Sequence, residues 1–241
     1  MQNLHRWISF VVCCGCIGGP LLGDDPVTPK KADVAEGDLK RFDLVVREDI
    51  FAGFDGDEEA LGRGEAACEK ALKVEPKNAE AMVWLGAVKV FKAGRLFGQN
   101  KPVEAFPLWT AGIKSMDDAV KLEPDNVGVR IPRASVLLPA ARNTPPAMST
   151  PLLKTVLADF EYIYKKQVDH LDSLGTHPRG ELRMGLADTY RLLGKLDSSK
   201  EQLEAIAKEL PDTEYATRAK EWLAAKPTKK LAHNCLGCHT N

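Results

Sequence analysis

Aromatic residues make up only 7% of this 241-residue chain, and neither sign of charge dominates, the net charge being −1. With few aromatics and abundant Ala, Leu, Lys and Glu, the composition favours helix over strand. Balanced charge leaves no basic face of the kind that nucleic-acid recognition requires, so nucleic-acid partners are set aside. The sequence has no Gly-rich phosphate loop, no G-x-S-x-G and no H-E-x-x-H. No catalytic apparatus is therefore legible, and the expectation is a protein that is not an enzyme. Adjacent carboxylates at Asp117–Asp118 and Glu58–Glu59 read as solvated helix faces. A distributed disulfide framework is missing too. The six cysteines fall into two clusters, Cys13/Cys14/Cys16 and Cys235/Cys238, with Cys68 alone between them. What remains is ordinary globular composition, 44% hydrophobic and 28% charged, and the expected class is all-α.

The first cysteine cluster lies in "MQNLHRWISFVVCCGCIGGPLLG", residues 1–23. A short polar start with Arg6 precedes an apolar core from Trp7 to Leu22, too short for a comfortable membrane span. Gly15, Gly18, Gly19 and Pro20 oppose a buried helix. The segment resembles an export signal, which places the protein outside the cytoplasm, in the periplasm or cell envelope. Gly15 before Cys16 resembles the end of a lipoprotein signal, in which case Cys16 would carry the membrane anchor. Residues 24–37, two prolines among many charges, read as a flexible linker.

Within the stretch 38–226 the sequence repeats itself. "EKALKVEPKN" (69–78) and "DDAVKLEPDN" (117–126) match at Ala71/Ala119, Lys73/Lys121, Glu75/Glu123, Pro76/Pro124 and Asn78/Asn126. Each reads as the end of a helix closed by a proline. "AEAMVWLGAVKVFKAGR" follows the first copy, with Leu85-Gly86 and a turn expected at Gly94. Later, "ELRMGLADTYRLLGKLDSSKEQLEAIAKELPDT" carries Leu186, Ala187, Tyr190, Gly194, Ser199, Leu203 and Pro211. These patterns resemble tetratricopeptide repeats, whose period is about 34 residues. The larger offset between the two "EP-N" copies is assigned to extra residues, "RLFGQNKPVEAFP", before the next helix. Residues 127–178 fit the pattern poorly. "RIPRASVLLPAARNTPPAMSTP" predicts a short degenerate helix and a long loop, and "PLLKTVLADFEYIYKKQVDHL" a helix. "TEYATRAKEWLAAK" reads as a closing helix with Tyr215, Ala219, Trp222 and Leu223 on its packed side. The resemblance implies a short α-solenoid of helical hairpins whose concave groove takes a protein or peptide partner. Trp84, Trp109 and Trp222 read as core or groove residues, and Cys68 as a small buried hydrophobe.

The tail, 227–241, contains Cys235-x-x-Cys238-His239. Two thiols at this spacing followed by histidine resemble the attachment site of c-type cytochromes. There the cysteines form thioethers to a haem and the histidine is the proximal iron ligand. The resemblance implies one covalent haem c on Cys235 and Cys238, His239 as metal ligand, and a redox partner protein. The distal ligand is Met184, Met148, His177 or His170, or there is none. A zinc site through His233, Cys235, Cys238 and His239 is the alternative, as is a redox dithiol or disulfide; either would leave a plain adaptor. The bundle-type class II cytochromes c, which end in this motif, are the structural rival, although Pro227 breaks the helix before it. A haem peroxidase is a further option for which no acid–base partner is identifiable.

Overall fold

A computed structural model describes residues 41–225. The readings of the export signal, Cys16, the linker and the tail with His233, Cys235, Cys238 and His239 lie outside the described residues.

Among the described residues the fold is all-α. The helices are α1 (Asp43–Phe54), α2 (Glu58–Val74), α3 (Ala79–Gly98), α4 (Pro102–Leu122), α5 (Val127–Arg142), α6 (Pro146–Gln167), α7 (Thr176–Leu192), α8 (Leu196–Glu209) and α9 (Glu214–Ala224). A 3₁₀ turn, Val168–Ser173, joins α6 to α7. Short connections make neighbours antiparallel, and α1/α2, α3/α4, α5/α6 and α7/α8 pack as hairpins. Successive hairpins join through α2 on α3, α3 on α5 and α6 on α7, and α9 packs on α8; α1 also touches α3, and α7 touches α5 and α9. The result is a solenoid of hairpins closed by α9. Its core runs through the stack from Val46 and Ile50 to Leu186, with a second cluster of Met184, Leu203, Ile206, Tyr215 and Trp222 under the last helix.

The repeated "EP-N" sequence does the same local work twice. In both copies the helix stops before the glutamate, at Val74 and Leu122. The asparagine then caps the next helix. Asn78 Oδ1 accepts from the Ala81 N–H at 2.9 Å, and Asn126 Oδ1 from the Gly128 N–H at 2.7 Å. The asparagine amide donates back to the preceding glutamate, Asn78 to Glu75 at 3.1 Å and Asn126 to Glu123 at 2.7 Å.

Close helix contact inside the hairpins depends on small residues. A Cβ at Gly86 would lie 2.7 Å from Met116 Cγ and 2.8 Å from the Gly112 carbonyl, and one at Gly112 only 2.7 Å from the Gly86 carbonyl. In α7/α8 the equivalent approach is made by Ala187, whose carbonyl accepts from Ser199 Oγ at 2.7 Å.

Four sequence expectations are corrected. Gly94 is not a turn but an interior residue of α3 with open space around it. The turn falls at Asn100, which takes the left-handed conformation (φ 59°) that asparagine tolerates. The "RLFGQNKPVEAFP" segment accordingly lengthens both α3 and α4 instead of forming a separate insertion. Residues 127–142 form a full helix, α5, despite Pro132 and Pro139, and only Asn143 to Pro145 separate it from α6. Burial of Val129, Ala134, Leu137, Leu138 and Ala141 outweighs the two interrupted backbone bonds. Leu223, expected on the packed side of α9, is 37% exposed, whereas Tyr215, Ala219 and Trp222 are buried as expected. In α7/α8, by contrast, Gly194 does make the turn, with φ 74°.

Candidate functional site

Parallel packing of the odd-numbered helices gives the solenoid two distinct ends. His177 and Tyr215, at the starts of α7 and α9, meet at 2.8 Å. The Arg191 guanidinium near the end of α7 lies 6.0 Å from the Trp222 ring near the end of α9. The α3–α4, α5–α6 and α7–α8 turns and the end of α9 therefore share one end of the stack, the hairpin-turn end. The chain leaves the described fold there, toward Cys235. His170 and His177 sit at the opposite end, separated by the length of α7, roughly 25 Å at 1.5 Å per residue.

That geometry sorts the candidate distal ligands. Met184 is fully buried in the core under α9. Its sulfur cannot face an outside group unless α7–α9 open. His177 Nδ1 is engaged by the Tyr215 hydroxyl, which donates in turn to Glu181 Oε1 at 2.8 Å. His170 is exposed in the 3₁₀ turn, at the far end. Met148, 40% exposed in the first turn of α6, is the candidate on the tail's side. Among the described residues no group of three or more His, Cys, Asp or Glu side chains could hold a metal ion, and no helix is long and apolar enough to cross a membrane.

The three tryptophans singled out are buried, Trp84 at 4%, Trp109 at 8% and Trp222 at 2% exposure. Cys68 is fully buried, and burial, with a lesser push from Glu65, raises its thiol to about 12. It stays protonated and unreactive at neutral pH. A shallow, open depression of about 530 Å³ runs along α4, lined by Trp109, Ile113, Lys114 and Asp117 among others.

The strongest electrostatic feature escapes sequence reading. Asp159 on α6 is completely buried and accepts from Arg133 Nε and Nη2 and from Arg130 Nη1, each at 2.7 Å. Arg133 Nη1 also donates to Asp117 on α4 at 2.8 Å. Burial alone would lower Arg133; hydrogen bonds and charge from Asp159, and then Asp117, reverse this and raise it. Arg130 stacks over Tyr162 at 4.1 Å. A second buried pair, Arg142–Asp188, ties α5 to α7. Burial raises Asp188 above the usual carboxylate value, with Arg142 opposing. Arg130 and Arg133 share one helix face by their i, i+3 spacing, the only trace of the network in the sequence. Paired with one another across helices, these groups tie α4, α5, α6 and α7 together. Asp117, expected to be a solvated acid, belongs to this network.

No family model, curated protein or solved structure matches the chain.

Proposed function

We propose that this is an exported scaffold that carries one covalent haem c on its C-terminal segment and delivers electrons within an envelope complex. The observation that carries the reading is the Cys235-x-x-Cys238-His239 sequence. Its donor chemistry fits the group: two thiols three positions apart for thioether bonds, and an imidazole directly after them for the iron. When bound, the haem supplies one-electron exchange. The chain's own residues do the rest. Cys235 and Cys238 anchor the group, His239 ligates it, and the rigid hairpin stack, which resembles tetratricopeptide repeats, offers its groove to a protein or peptide partner. Residues 1–23 direct export, and Cys16 is the candidate lipid anchor.

The position of the segment supports a haem that partners can reach. The chain leaves the fold at the hairpin-turn end, away from His177 and from the buried Met184, which leaves the half-exposed thioether of Met148, a weak ligand, as the candidate on that side. External imidazole or carbon monoxide should therefore bind the iron readily. The test is maturation with a haem-attachment system followed by acid–acetone extraction. Haem should remain with the protein, and Cys235→Ala combined with Cys238→Ala should abolish retention without changing helical content. Complete extraction, or stoichiometric zinc in its place, would favour the adaptor reading.

A further inference from the structure

Exposed leucines gather where the chain leaves the fold. Leu192 ends α7 and Leu196 begins α8, on either side of the tight turn at Gly194, and they are 42% and 43% exposed. Leu223 is 37% exposed and follows Trp222, whose ring lies by Arg191 of the same turn region. All three therefore occupy one end of α7–α9. We propose that these leucines form the seat for the segment Leu231–His239 in its haem-bearing form. The inference rests on the haem reading above and adds to it the surface on which the group is held.

The occupant follows from reach and from apolar content. Cys235 lies ten positions beyond Ala225, a span of at most about 35 Å when extended. The leucines lie within about one helix spacing, roughly 10 Å, of the end of α9. Tethering at such short range gives the segment a high effective concentration over this surface. Of the other exposed apolar residues at this end, Met148 is a single side chain at the start of α6, and Val103 and Phe106 belong to the α3–α4 hairpin. That hairpin stands three helices away, near the limit of the tether.

The segment itself offers little to bury. Leu231, Ala232 and Leu236 are its apolar residues, too few to offset the entropy of ordering the chain around them. A porphyrin adds a large apolar face in one step. Docking therefore requires the haem. Leucine side chains carry no donor atom, so the seat holds the group by apolar contact and leaves ligation to His239.

Amide hydrogen exchange read by mass spectrometry tests this on three full-length proteins. These are the haem-loaded wild type, haem-loaded Leu192→Gln/Leu196→Gln, and haem-free Cys235→Ala/Cys238→Ala. Both leucines are half exposed, so the glutamines should leave the melting temperature nearly unchanged. Peptides covering 231–239 should exchange at least tenfold more slowly in the loaded wild type than in either variant. If haem is attached but these peptides exchange as fast in the wild type as in the glutamine variant, the seat is wrong and the haem reading stands. If the wild type never retains haem, both fall.

Discussion

Gly86 and Gly128 make a controlled comparison of what a side chain costs. At Gly86 a Cβ meets the Gly112 carbonyl at 2.8 Å as well as Met116, so backbone must move. At Gly128 the nearest atoms are the ends of two side chains, Asn126 Oδ1 and Glu80 Oε1, both at 2.9 Å. Gly86→Leu should destabilise by about 3 kcal/mol, the upper part of the overpacking range. Gly128→Leu should cost about 1 kcal/mol, the worth of a disturbed cap. Urea midpoints check this, and equal values would refute the α3–α4 contact. Cys68 gives the pH dependence. Its thiol titrates near 9.0 when free and at about 12 when folded. The unfolded chain therefore loses a proton that the folded chain keeps, and stability must fall as pH rises from 9 to 12, by a few kcal/mol at most. Cys68→Ala should start less stable and show a flatter alkaline limb. An unchanged slope would show that this thiol is not what the alkaline loss reports. Tyr190, raised to about 12 chiefly by burial, leaves a residual slope in the variant.

Helices were legible where local chemistry decides them and misread where tertiary packing does. The "EP-N" turns could be read because their hydrogen bonds lie within four residues of sequence. The turn at Gly194 could be read because a left-handed glycine ends the helix there. Gly94 misled because a glycine inside a well-packed helix resembles a turn residue until its neighbours are known. Helix α5 was hidden by Pro132 and Pro139, each adverse by itself. What holds α5 in place is as non-local as burial can be: Arg130 and Arg133 reach Asp159, 29 and 26 residues away. A buried aspartate in the middle of α6 carries no sequence mark until those arginines are folded against it. Asp159→Ala would leave two guanidinium groups without their shared acceptor and should cost about 3–5 kcal/mol. Thermal melts check this, and a loss below about 1 kcal/mol would mean that the network contributes little to holding α5 on α6.

For the whole molecule, the described residues form a core that runs from Val46 to Trp222. Apolar burial of this kind is worth about 25 cal/mol per Å². A chain ending at Ala225 should therefore be helical and melt cooperatively, with no metal or haem present. If it were unfolded, the C-terminal segment would be structural and the zinc alternative would gain. The candidate site was legible only as chemistry, three residue types at one spacing. Where the segment rests depends on contacts between residues that sequence order does not bring together. The most direct measurement of the central proposal is the mass of the C-terminal peptide. After maturation with a haem-attachment system and proteolysis at the lysines from Lys226 to Lys230, the peptide containing Cys235 and Cys238 should carry one haem and no free thiol. The same peptide with two free thiols, or with a simple disulfide, would contradict the haem-bearing scaffold.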